Sequence, residues 1–360
     1  MAALPLELQI KVVEWVYRAS QDTEIHYATL RACALVCRAW TTTAQRLLLR
    51  RLPFPIHFST DTHHRAVLLL RTLRERPLLA AHIISVKFDL ANLDAVDLDD
   101  PCSTLLKLCP RIACIRASCS FDTPRNYDLH VQRRSLGMRL RSLALQPVVL
   151  RVAGNKESVN YLINIWPTVR VLDVSTWRRQ RRDGPSICNL PFVEALSFSD
   201  ISAFDLKSPE ASFSALREME LKPGWSTDFR RVFGSGVFAG IHSLRIHGPC
   251  PPPEIFRHLV HLTRLAFTEL PQGDPSLPQT IRHVGYHVNR LIMRLEHTKD
   301  IKPFAAALCA LPDLQHVNAT PFLSPLHMAT LEEVCRGRGI DLEICGELHS
   351  LWRPINIDWI

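Results

Sequence analysis

Glycine is scarce, with thirteen in 360 residues, and the scarcity removes whole classes of chemistry. Neither the dinucleotide-binding GxGxxG nor the P-loop GxxxxGK motif occurs, so no glycine loop is available to cradle phosphates. The GxSxG nucleophile elbow and the zinc-binding HExxH are missing too. No apolar run approaches the ~20 residues needed to cross a bilayer. The first apolar stretch, LPLELQIKVVEWV, is interrupted by Glu7, Lys11 and Glu14, which does not fit a secretory signal. Eleven cysteines are present, but none form a CxxC pair. The densest set, Cys102, Cys109, Cys114 and Cys119, lacks the close pairs that bring ligands to zinc. Cys102 and Cys109 lie on a helical stripe and read as apolar packing. His258/His261 and His283/His287 have no adjacent acid in a known motif and read as surface or satisfied core histidines. The expectation is a non-enzyme without cofactor or metal, its thiols reduced, in the cytoplasm, the nucleus or both.

What remains is ordinary globular composition, 47% hydrophobic and 22% charged. The length suits two or three domains, or one small domain plus a repeat array. A net charge of +8 invites a nucleic-acid reading. The charge is spread along the chain, however, with 7 basic and 4 acidic side chains in residues 1–52. The longest cluster, RRQRR at 178–182, reads as a solvated loop, with an acidic partner or an import signal as alternatives.

The first fifty residues predict three short helices. Pro5 suits a first helical turn, and Glu7, Lys11, Glu14 and Arg18 recur on one polar stripe. Leu8, Val12, Val13, Trp15 and Val16 cover most of the remaining circumference. The segment ATLRACALVCRAW follows, in which only Arg31 and Arg38 are strongly polar between Leu30 and Trp40. In TTTAQRLLLRRL, Thr41 to Thr43 offer a cap for the third helix. A bundle this small has too little interior for so much apolar surface. The surplus must meet the rest of the chain, a different protein or a membrane surface. The helices lack the broad basic face of interfacial helices, which disfavours the membrane.

LPLEL with Val12, Val13 and Val16, followed by LRACALVCRAW, resembles the F-box, a three-helix module of about fifty residues, over Leu4 to Leu52. The loop Arg18 to Tyr27 is longer than the usual pattern. The resemblance implies docking on a Skp-type adaptor and, through it, on a cullin–RING ubiquitin ligase. Carried over by position, the docking residues are Leu4, Pro5, Leu8, Val12, Val13, Leu35, Val36, Cys37 and Trp40.

The other three hundred residues repeat. Apolar residues at i, i+3 and i+5 occur as Ile83/Val86/Phe88, Ile112/Ile115/Ala117, Leu140/Leu143/Leu145, Val169/Leu172/Val174 and Val193/Leu196/Phe198. They continue as Leu216/Met219/Leu221, Ile241/Leu244/Ile246, Leu262/Leu265/Phe267, Ile281/Val284/Tyr286 and Leu314/Val317/Ala319. In so apolar a chain roughly one window in ten matches by chance, so the pattern needs support. Proline provides it, standing two residues before the first apolar position at Pro110, Pro167, Pro191 and Pro312. Helical spacing precedes several units, as in Val159/Leu162/Ile163/Trp166. The unit therefore reads helix, proline stop, short strand. Stacked, such units give a parallel strand ladder faced by helices, similar to an irregular leucine-rich-repeat solenoid. An ordinary α/β domain is the competing reading.

The expected architecture is thus an α/β chain. It comprises an F-box bundle at 1–52, a linker with a capping helix at 53–82, a solenoid of ten or eleven units at 83–346, and a capping tail at 347–360. Strand alternation aims i+2 and i+4 at the concave face. This zones it basic at Lys87 and Arg116, acidic at Asp173, Glu218 and Glu220, and basic again at Arg245, Arg264, His283 and His316. The last seven are the candidate client-binding residues. The function expected is a substrate-recruiting adaptor of a cullin–RING ligase, holding a client protein by proximity. A ligase-independent scaffold is the first rival, and a nucleic-acid-binding solenoid the lesser one.

Overall fold

The computed structural model describes residues 5–19, 23–57, 63–89, 101–118, 140–141, 143, 145–154, 156–177, 190–198, 213–221, 239–248, 252–268, 277–284, 287–293, 301–319 and 323–344. RRQRR, Leu4 and the tail with Trp352 and Trp359 lie outside them. The chain forms two compact units. The first takes residues 1–154 with 164–166, and the second takes 155–163 and 167–359.

The first unit opens with α1 (Leu6–Ala19), α2 (Thr23–Val36) and α3 (Arg38–Arg50). Pro5 precedes α1, and its carbonyl accepts from Leu8 and Gln9, closing the first turn. The break between α2 and α3 falls at Cys37, whose backbone is extended (φ −160°, ψ 165°), four residues earlier than the sequence suggests. Thr41 caps across it differently from the expected N-cap role: its hydroxyl donates to the carbonyl of Ala34 at 2.7 Å. That satisfies one of the open carbonyls ending α2. Val13, Leu30, Cys33, Ala44 and Leu47 form the bundle's buried core.

α3 runs directly into β1 (Arg51–His57), followed by α4 (His63–Glu75), a 3₁₀ helix (Pro77–His82), β2 (Ser85–Asp89), α5 (Pro101–Leu108), β3 (Cys114–Ser118) and β4 (Val149–Gly154). β1 to β4 pair in chain order, all parallel. The segment PFPIHF, expected to break the chain as linker, instead supplies β1. Its register to β2 shifts between Arg51 and Pro55. Proline is tolerated there because β1 begins the ladder, where no earlier strand needs its N–H.

After α6 (Lys156–Ile165), the second unit carries β5 (Val171–Trp177), β6 (Ala195–Phe198), β7 (Glu218–Leu221), β8 (Ser243–Ile246) and β9 (Arg264–Phe267). It continues with α7 (Leu277–His283), β10 (Arg290–Met293), α8 (Lys302–Leu308), β11 (His316–Ala319), α9 (Pro325–Arg338) and β12 (Asp341–Ile344). β5 to β12 again pair in chain order and in parallel. From β6 to β12, successive strands start 21 to 26 residues apart, inside the period of leucine-rich repeats. The fold is the expected α/β arrangement of helices and parallel, solenoid-like strand ladders.

The i+3 positions make a continuous apolar row: Leu172, Leu196, Met219, Leu244, Leu265, Leu291 and Val317 are in register and buried. Leu244 is fully buried, so Leu244→Ala is expected to destabilise the chain by about 2–5 kcal/mol in denaturant titration.

Two repeat units are displaced from their expected places. Ile281 and Val284 belong to α7 and its end, and the strand follows at Val288/Leu291/Met293. The reason is periodic overlap: Leu277, Thr280, Ile281 and Val284 stand at i, i+3, i+4 and i+7, the helical spacing. Likewise Leu140/Leu143/Leu145 is not the strand; β4 follows seven residues on, with Pro147, Leu150 and Val152 in the repeat positions. β12 escapes the pattern because Gly339 occupies its first apolar position. Gly339 caps α9 with φ 68°, a conformation that favours glycine.

Candidate functional site

Two surfaces stand out. The first is the apolar skin of the bundle. Its five core residues face inward, yet Leu8 remains 47% exposed, Val12 41%, Leu35 87% and Val36 63%. Cys37 is exposed at the break, and Pro5 at the start of α1. Trp40 is half-buried, and its indole N–H donates to Gln9 Oε1 at 3.1 Å. That bond sets the α2–α3 break alongside the first turns of α1. Val13 corrects the docking set: it is 0% exposed, because it lies on the inward stripe with Leu30 and Leu47. Two residues outside the carried-over set join this skin, Leu6 and Trp15, both more than half exposed. The narrowness of the polar stripe of α1, Glu7, Lys11, Glu14 and Arg18, could have flagged them.

The second surface is the polar face of the ladders. In the second unit, Asp173, Ser197, Glu220 and Arg245 lie in one register row, and Glu218, Ser243, Arg264, Arg290 and His316 in the row beside it. Glu220 is the hub of the first row. Ser197 donates to its Oε2 at 2.9 Å, while His247 Nε2 lies 2.8 Å and Arg245 Nη1 3.4 Å from its Oε1. His247 Nδ1 in turn meets the Thr268 hydroxyl at 2.8 Å. Burial alone would raise the Glu220 carboxyl. The His247 hydrogen bond, Arg245 and Ser197 outweigh it and hold the group at about 2, against an ordinary 4.5.

A depressed carboxylate stabilises the fold above its unfolded pKa and loses that contribution as pH falls toward the folded value. Glu220 therefore contributes fully above about pH 4.5, and melting followed downward from there toward pH 2 should show a loss of about 3 kcal/mol. In Glu220→Gln this part of the pH dependence disappears.

The cluster corrects the expected basic zone. Arg245 is only 4% exposed and is committed to Glu220, so it belongs to the fold's interior rather than to a client surface. His283 lies at the end of α7, its Nδ1 2.8 Å from the Gln279 carbonyl, and is absent from the strand rows. His316 is on the ladder face, 3.3 Å from Asp341. Arg290 donates to Asn318, which donates to Glu343 at 2.6 Å. Cations at this end are thus matched by acids. Glu218 is pushed above the usual range by burial, with Arg264 opposing. Asp173 is half-buried and Arg264 exposed.

At the edge preceding β8 to β11, a groove of about 660 Å³ is lined by His242, Val260, His261, His287 and Asp313 among others. The rings of His242 and His261 stack at 5.8 Å. No metal-holding group of three acidic, histidine or cysteine ligands occurs among the described residues. Burial pushes the Cys109 thiol up to about 12, which suits packing and not reactivity. Among the described residues no helix is long and apolar enough to cross a membrane.

No family model matches the chain, and no curated protein matches it. Among solved structures, the chain is similar to one from the crystal structure of the Rad7 and Elc1 complex in yeast. The two share 12% identity over 91% of this chain and 85% of that one, with a TM-score of 0.40.

Proposed function

We propose that the chain is a substrate-recruiting adaptor of a cullin–RING ubiquitin ligase, with no catalytic residue of its own. Pro5, Leu8, Val12, Leu35, Val36, Cys37 and the edge of Trp40 dock on a Skp-type adaptor, while the ladder face holds a client. One observation carries this reading. The bundle completes its own core and still leaves Leu8, Val12, Leu35 and Val36 in water, although the rest of its unit is available to cover them. Apolar area of that kind, spread over neighbouring helix ends, marks a protein interface. Leu4 belongs to the set by sequence position alone. The F-box resemblance supplies the partner's identity.

The contribution to ubiquitin transfer is proximity: a tethered client presents its lysines at high effective concentration beside the charged enzyme. Such an adaptor works in the cytoplasm or nucleus. Affinity purification of the full chain from cells tests the reading. Cullin and a Skp-type adaptor should co-purify with the wild type and be lost from Leu35→Lys/Val36→Lys. Retention of the adaptor without cullin would support a scaffold outside any ligase.

A further inference from the structure

We propose that the groove at the edge preceding β8 to β11 binds an extended peptide segment of a partner protein by its main chain. The groove uses none of the docking residues. It rests on the adaptor reading for one point alone, that the partner is a client.

The groove is built on a regular row. Ser243, Arg264, Arg290 and His316 are in register across β8 to β11, and the residues just before them are His242, Thr263, Asn289 and Gln315. Each of these hydrogen-bonds to the one before it. Thr263 N–H donates to the His242 carbonyl at 2.9 Å, Asn289 to Thr263 at 3.0 Å, and Gln315 to Asn289 at 2.9 Å. At about 4.8 Å per strand the row is about 14 Å long, which about four residues of extended chain span.

Side chains along the row keep hydrogen-bonding capacity to spare. The side-chain amides of Asn289, half-buried, and Gln315, exposed, have no hydrogen-bond partner among the described residues. Each offers two donors and an acceptor. His242 Nδ1 lies 2.9 Å from the Gly240 carbonyl. A carbonyl only accepts, so that nitrogen carries a hydrogen, and Nε2 has no hydrogen bond among the described residues. Thr263 donates its hydroxyl to the His242 carbonyl at 3.1 Å and keeps its lone pairs. The same edge is occupied differently on either side. Upstream, Arg170 donates to Glu194 at 2.8 Å, and Arg217 donates to the carbonyls of Ser214 and Leu216. Downstream the equivalent position is Ile340, which is buried. The spare amides, ring nitrogen and hydroxyl are thus confined to the four steps that line the groove.

A polypeptide main chain presents one N–H and one C=O at each residue, which a row of mixed donors and acceptors matches. The groove's one carboxylate, Asp313, stands 3.7 Å from His287 Nδ1, so hydrogen bonding more than charge sets the class of ligand. Val260, 55% exposed, adds an apolar wall for a side chain of the segment. A helical ligand would satisfy its own backbone groups and gain little from the row.

A display library of random hexapeptides, selected on the purified full-length protein, tests the site. Fluorescence anisotropy of the most enriched peptide reads the affinity. Neither adaptor nor cullin takes part, so failure here is separate from failure of the ligase reading. The peptide should bind the wild type at least about ten-fold more tightly than Asn289→Ala/Gln315→Ala. Methylating two central main-chain nitrogens of the same peptide, its side chains unchanged, should cost a similar factor. Thermal melting checks the fold. Gln315 is exposed, so Gln315→Ala alone carries the comparison where the double variant melts early. A peptide that binds wild type and variants alike would overturn the proposal, as would a methylated twin as tight as its parent. A library that yields no binder would overturn it too, the result expected where the chain's own tail or a second copy fills the groove.

Discussion

Replacing Leu35 and Val36 together by lysine should weaken binding of a Skp-type adaptor by at least about 100-fold while leaving the chain folded. Both side chains are mostly in water, at 87% and 63% exposure, so their removal takes little from the bundle's own core. Both end α2, where lysine suits the negative end of the helix dipole. At an interface each apolar side chain contributes about 1.5–3 kcal/mol, and an unpaired buried ammonium adds a desolvation cost. Titration with purified adaptor reads the loss, and thermal melting reads the fold. Val13→Asp is the contrasting control. It buries a charge at a position with no exposure, so it should abolish binding by unfolding the bundle. Unaltered affinity in the double lysine variant would place the adaptor elsewhere or nowhere.

Glu220→Ala should destabilise the second unit by about 3–5 kcal/mol, the cost of breaking a buried ion pair from one side. The substitution removes the carboxylate shared by Arg245, with its side chain 5% exposed, and His247, at 8%. Ser197 loses its acceptor as well. Glu220→Gln keeps the shape and an acceptor oxygen, so it should lose less than the alanine variant. In thermal melting the alanine variant should fall by roughly 10 °C, at about 2–4 °C per kcal/mol for a unit of this size. A drop of 1–2 °C would mean that Arg245 finds water or another acid, and that the cluster is not a buried joint.

The ladder was legible because each unit's apolar residues obey one geometric demand. A short parallel strand packed under a helix puts i+3 and i+5 inward, and proline ends the helix before it. Leu196/Phe198 and Leu265/Phe267 sit in the strands that this spacing implies, with Val193 and Leu262 buried just before them. Where an apolar helix shares the spacing, as at Leu277 to Val284, composition cannot separate the two. Where the first position holds Gly339 the unit is missed because a helix cap takes precedence over packing, and where it holds Pro147 a buried proline stands in place of the apolar residue that the spacing looks for. The bundle's helices were legible, but the α2–α3 boundary was not. Nothing in LVCRAW fixes whether Cys37 or Thr41 is extended until Thr41 caps Ala34.

Surface chemistry was harder to read than the core. Alternation correctly aimed Glu220 and Arg245 at one face, yet facing outward from a strand is not the same as being exposed. Side chains from neighbouring strands can close over such a pair, and here Ser197, His247 and Thr268 do. Val13 failed for the complementary reason. On a helix that is apolar nearly all round, sequence does not say which stripe faces in. Leu30, Cys33, Ala44 and Leu47 decide it, and Val12 is left outside.

Hydrogen–deuterium exchange on the full chain, with and without a purified Skp-type adaptor, tests the central claim most directly. Exchange should slow only in the first turns of α1 and at residues 35–40, with the ladder strands unchanged. Identical exchange at those segments in the presence of saturating adaptor would contradict it.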